Sequence, residues 1–276
     1  MSSRAVLMAA LHRRVPAGSA GWIARAAGRR DARNPQAMER ARASMRLLLD
    51  QARPDADFDD LARRYLVQVR WLNEARWHLR LSRPLPVQGL DRLRSVDGGV
   101  LVHLVHHGPF LMIGPSLAQS GREVHVVADP GLCAPDRKPW QAQTHAVASQ
   151  GCRLFSAEEG SAGVRDRLAR GLVVAAATDV PGHTPVTFLG KRLVGSSGAV
   201  RVAYTSGVPV ISASVHRDAE GRPTYRLSEP LRPADFASAE AMLQELLRLQ
   251  EPAVLAWPEA YYDPLTKWHQ ETPEMA

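Results

Sequence analysis

From residue 86 onward, short β-branched runs alternate with stretches of helical period, and this alternation limits the possible folds more than any other feature of the chain. Residues 100–105, 123–128, 153–155, 172–178, 186–189, 208–215, 224–228 and 253–257 read as strands. Residues 110–120, 137–150, 163–170, 197–206 and 237–250 read as helices between them. Such alternation joins neighbouring strands by helical crossovers, which gives a parallel sheet buried on both faces. Before Pro86 the texture is helical. Asn34-Pro35 is a cap followed by proline at the first helical position, and residues 38–49 continue with a period near 3.6. Residues 58–81 repeat the pattern, with Leu61, Tyr65, Leu66, Val69 and Leu72 on one face. The expected architecture is α/β: a mostly parallel central sheet covered by helices on both faces, with an N-terminal helical cap. The expected division is a cap over 1–83 and an α/β body over 84–276.

Charge separates the same two regions. Of the net +7, residues 1–35 carry +6, from seven arginines against Asp31. Trp22, Ile23 and Ala26 accompany them at helical spacing, as do Val6, Leu7, Ala10 and Leu11. A basic apolar arm suits an acidic protein or an anionic lipid surface, with peripheral membrane contact. The body has no interleaving of basic and aromatic residues, so nucleic acid is not an expected partner. Cys133 and Cys152 stand far apart with no paired Cys/His spacing, so neither a disulfide framework nor a metal site is expected. No apolar run reaches the length of a membrane span, and no signal peptide is read, so the expected location is cytoplasmic.

In a parallel sheet, ligands gather beyond the carboxyl ends of the strands. The first strand ends in His106-His107-Gly108, the second in Asp129-Pro130, and the strand at 172–178 in Asp179. A histidine beside a carboxylate is a general-base unit, because the acid fixes the imidazole tautomer. Either aspartate can instead cap the turn that follows it. His103 reads as a satisfied core histidine. There is no Gly-x-Ser-x-Gly elbow, no Gly-x-Gly-x-x-Gly after a strand and no Walker loop. The remaining chemistry is a histidine base acting on an incoming nucleophile.

Several stretches, in order, resemble the lysophospholipid acyltransferase superfamily, and within it the bacterial lipid A (lauroyl/myristoyl) acyltransferase branch. They are residues 89–93, residues 98–108 with His106 and His107, residues 168–174 leading to Asp179, residues 186–190, and residues 197–203 followed by 206–210. The resemblance implies acyl transfer from a thioester on acyl carrier protein or coenzyme A, with no other cofactor. His106 falls on the family's catalytic histidine. The family's His-x4-Asp/Glu acid then falls on Leu111, or on Met112 if counted from His107, and the branch's Asp-Gln pair reads Asp179-Val180. Asp179 is therefore the expected replacement acid. Substrate contacts are expected from His107, Gly108, Phe110, Asp129, Ser196, Ser197 and Gly198. The readings open at this point are transfer to an amine or hydroxyl, an inactive acyl- or partner-binding homologue, and a thioesterase or condensing enzyme on the same fold.

Overall fold

The computed structural model describes residues 19–75 and 82–270. The first eighteen residues of the arm, with Arg4, Arg13 and Arg14, lie outside the described residues, as does the expected end of the second long helix at 76–81.

Three helices open the described chain: α1 (Ala20–Asp31), α2 (Pro35–Leu49) and α3 (Phe58–Ala75). The Asn34 side chain caps α2 by accepting from the backbone N–H of Gln36 and Ala37. The buried stripe of α1 is Ala20, Ala24 and Gly28, a different face from the one marked by Trp22, Ile23 and Ala26. Small residues win this face because α1 lies tight against α3. A Cβ on Gly28 would come within 2.6 Å of Val67 Cα. Trp22 is left 68% exposed.

The body is an α/β fold. Its elements are β1 (Val87–Gln88), α4 (Leu90–Arg94), β2 (Val100–Leu104), α5 (Ile113–Leu117), β3 (Val124–Ala128), α6 (Pro130–Cys133) and α7 (Pro139–Ala148). There follow β4 (Arg153–Ser156), α8 (Gly160–Ala169), β5 (Val173–Ala177), β6 (Thr184–Phe188), β7 (Lys191–Gly195) and α9 (Gly198–Thr205). The chain continues through β8 (Val210–Arg217), β9 (Pro223–Leu227), α10 (Ala239–Ala256), α11 (Pro264–Lys267) and β10 (His269–Gln270). Seven strands form one sheet in the order β1-β9-β8-β2-β5-β3-β4. The strands from β8 to β4 are mutually parallel, and β9 pairs antiparallel with β8. A second antiparallel sheet has the order β10-β7-β6.

Two expectations are corrected. The apolar run at 253–257 is the end of α10 and not a strand; a short apolar run fits a buried helix equally well. Residues 110–120 form a broken helix, α5 flanked by 3₁₀ turns, instead of one regular helix. The apolar core does not stop at residue 83. Met38, Met45, Leu48, Leu61 and Tyr65 belong to the same buried cluster as Leu101, Val174 and Val210 of the sheet.

Candidate active site

β2 and β5 are neighbours in the sheet, and Leu104 pairs with Ala177. Carried two residues past the strand ends, the same register sets His106 opposite Asp179. His106 Nδ1 lies 2.8 Å from Asp179 Oδ1, and the backbone N–H of His106 donates to Asp179 Oδ2 at 2.8 Å. Asp179 is fully buried, while the His106 side chain keeps 17% exposure. The carboxylate thus accepts a hydrogen bond from Nδ1–H and leaves the lone pair on Nε2, the tautomer a general base needs.

A second tier holds the acid. The Tyr261 hydroxyl donates to Asp179 Oδ2 at 2.7 Å, and Trp268 Nε1–H donates to that hydroxyl at 2.8 Å. Burial alone would push the Asp179 carboxyl upward. The charge and hydrogen bonds of His106, with the Tyr261 hydroxyl, reverse this and hold it below the ordinary carboxylate value. Burial, reinforced by Asp179, raises Tyr261 well above the usual phenol value, so it remains a donor.

The segment carrying Tyr261 also fixes the base. Gly108 N–H donates to Ala260 O, Tyr262 N–H donates to His106 O, and His107 bridges to Tyr261. Gly108 turns the chain away from the sheet with φ +63°, and a Cβ there would strike Val215 Cγ1 at 2.7 Å.

His106 opens onto a cavity of about 280 Å³. Its charged and imidazole lining, His106, Asp129 and Lys267, comes from strand ends and α11, and Thr144 of α7 and Tyr262 add hydroxyls. Its apolar lining includes Val126, Leu154 and Ala175, up to three residues deeper along the strands, roughly 10 Å at about 3.3 Å per residue, and Ala148 at the end of α7. Phe110 and Leu111 line it as well, with the Phe110 ring centroid 4.8 Å from that of His106. Lys267 Nζ lies 3.2 Å from His106 Nε2. Burial pulls the Lys267 ammonium below its ordinary value, partly offset by the charges of Asp179, Asp263 and Asp129.

The other expected contacts separate. Asp129 lines the cavity and also caps α6 by accepting from Gly131 N–H. His107 is buried and held by the carbonyl of Trp257 at 2.9 Å, so it does not face the cavity. Gly108 serves the turn and does not line the cavity. Ser196, Ser197 and Gly198 line a separate cleft with Pro181, His183 and Arg201. These five departures share one cause: position near a strand end does not decide which way the chain turns or which cavity a residue faces. His103 is buried between Thr178 Oγ1 at 2.8 Å and Ser212 Oγ at 3.4 Å.

Sequence reasoning missed Tyr261, Lys267 and Trp268. One signal pointed to Lys267, because only three lysines stand among 35 basic residues. Nothing local marks Tyr261 or Trp268. Among the described residues, no group of His, Cys, Asp and Glu side chains is arranged to hold a metal ion. No described helix is long and apolar enough to cross a membrane.

No family model matches the sequence, and no curated protein matches it. Among solved structures it is similar to one described as the 1-acyl-sn-glycerophosphate (LPA) acyltransferase, PlsC, from Thermotoga maritima. The identity is 15% and the TM-score 0.43, over 81% of this chain and 95% of that one. At that score and identity the likeness carries no argument about this chain.

Proposed function

We propose that the protein is an acyltransferase, moving an acyl group from a carrier thioester to an amine or hydroxyl acceptor. The observation that carries this is the opening of the His106–Asp179 pair onto an apolar cavity. A histidine whose tautomer is fixed by a carboxylate removes a proton from a nucleophile. Among the described residues the side-chain partner of Nε2 is Lys267, and the aliphatic hydroxyl in the cavity wall, that of Thr144, donates to the Trp140 carbonyl at 2.8 Å instead of to His106. The incoming acceptor then attacks the thioester directly. The apolar part of the cavity takes the acyl chain, and the strand-end groups face the reacting carbonyl. Asp179 takes the place of the family acid that Leu111 does not supply. No further cofactor enters this reaction.

The donor in this reading is an acidic acyl carrier protein, or coenzyme A. Arg25 and Arg29 of α1, Arg63 and Arg64 of α3 and Arg217 of β8 line one groove, with Asp60 and Glu259 as its acids. The basic arm is therefore one wall of a larger cationic surface, suited to an acidic partner. The exposed Trp22 on α1 supports peripheral contact with an anionic membrane, on the cytoplasmic side. The test is intact-mass analysis of a loaded acyl carrier protein incubated with the protein and candidate amine or alcohol acceptors. Loss of the acyl mass from the carrier with its gain on an acceptor is the expected result. Release as free acid assigns a thioesterase, and binding without release assigns a non-catalytic homologue; either overturns the proposal.

A further inference from the structure

Lys267 sits where a simple histidine base would meet its substrate. Its Nζ contacts Nε2 of His106 at 3.2 Å, and both side chains line the cavity. Among the described residues, no carboxylate lies within ion-pair distance of Nζ, unlike Lys191, which pairs with Asp50 at 2.7 Å. The backbone that places Lys267 is tied to the same site. The next residue, Trp268, donates to Tyr261, which donates to Asp179, which holds His106. The contacts therefore close a ring from Lys267 through His106, Asp179, Tyr261 and Trp268 back to the residue beside Lys267.

Resting on the acyl-transfer reading, we propose that Lys267 is the catalytic group that takes the acceptor's proton, with His106 as the proton sink behind it. In the reactive form Lys267 is a neutral amine and donates one N–H to Nε2. The acceptor's O–H or N–H bond breaks, and its proton passes to Nζ. Nζ releases a different proton to Nε2, giving an imidazolium beside the Asp179 carboxylate. The acceptor atom forms its bond to the acyl carbon, and the carbon–sulfur bond breaks. The departing thiolate takes the proton back from His106 through Nζ, which restores the starting state. A buried lysine suits this role, because an amine with little water around it loses its proton more readily. The charges facing Nζ are His106 after β2, Asp129 after β3, Asp179 after β5 and Asp263 at the start of α11, with Tyr262 as a further titratable wall.

Three variants and one labelling measurement test this. Lys267→Met keeps the length of the side chain without the amine, and Lys267→Arg keeps the charge without a removable proton. Both are expected to lose roughly a hundredfold or more in kcat, the usual scale of proton-transfer catalysis, with donor KM little changed. Recovery by Lys267→Arg to near wild-type would show that a fixed charge suffices and would overturn the proposal. A fully active Lys267→Met beside an inactive His106→Ala would overturn it too, leaving the acyl-transfer reading intact. A fully active His106→Ala would instead sink that reading. Independently of any activity, pulse labelling with an amine-reactive ester and peptide mapping should modify Lys267 at a lower pH midpoint than Lys138. Equal midpoints would overturn the proposal.

Discussion

Asp179→Asn separates an orienting acid from a turn cap, because its three hydrogen bonds are not equivalent. Oδ2 accepts two donors, the His106 backbone N–H and the Tyr261 hydroxyl, while Oδ1 accepts only Nδ1–H. Asparagine has one oxygen. Placed at the Oδ2 position, it keeps two of the three bonds and turns the amide N–H toward Nδ1. Nδ1 must then accept, and the ring carries its proton on Nε2, facing Lys267 instead of receiving from it. The reverse orientation sets an amide N–H against the His106 backbone N–H and leaves a buried donor unpaired, at about 1–3 kcal/mol. The first arrangement wins, and it stabilises the wrong tautomer. Turnover should fall about 10⁴-fold, as for other His–Asp units so altered, or about 5 kcal/mol at 1.36 kcal/mol per tenfold. The melting temperature should move by only a few degrees. Single-turnover transfer followed by intact mass gives the rate, with Asp57→Asn as the comparison, because Asp57 caps the start of α3 away from the cavity and asparagine caps as well as aspartate. Turnover within tenfold of wild type for a folded Asp179→Asn would refute the orienting role.

Three further outcomes are expected. Burial lowers His103 and His107 to about 4, below an unfolded value of about 6.5. The unfolded chain therefore binds more protons in that window, so stability is complete above about pH 6.5 and falls toward pH 4. At pH 5 each histidine withdraws about 2 kcal/mol, together about 10 °C in melting temperature. Scanning calorimetry showing less than about 2 °C between pH 7 and pH 5 would contradict this. Ala148→Leu, which adds bulk to the cavity wall, should shift transfer toward shorter acyl chains and cost about 1–3 kcal/mol through overpacking. An unchanged chain-length profile would place the acyl group elsewhere. Reversing Arg25, Arg29, Arg63 and Arg64 to Glu should raise the apparent donor constant for an acidic carrier, and added salt should do the same to the wild type. Unchanged values in both would remove the groove from donor binding.

The sheet was legible because its strands are buried on both faces and read as continuous apolar runs. Val173–Ala177 is an example, directly preceded by a stretch of helical period. The last such run misled for the same reason: in 253–257 the apolar residues fit α10 as well as a strand. β7 escaped notice because Lys191 and Arg192 open it as the second half of a hairpin, without a long apolar run. At the site, strand-end position together with the family resemblance brought His106 and Asp179 into view, since the parallel register carries both strands to one edge. Tyr261, Lys267 and Trp268 come from the far end of the chain. They reach the site through backbone pairing of 260–262 with 106–108, for which local sequence holds no signal. His107 and Gly108 look equivalent to His106 in the sequence. Only the turn at Gly108 decides that one histidine faces the cavity and the next is buried.

The most direct measurement compares wild type with His106→Gln in acyl transfer from a loaded carrier protein, read by intact mass under single-turnover conditions. Glutamine preserves bulk and a polar end but accepts no proton. With the fold shown intact by circular dichroism, the substituted protein should lose at least about 10³-fold of the transfer rate while still binding the loaded carrier. Transfer at the wild-type rate would contradict the assignment of His106 as the centre of the chemistry.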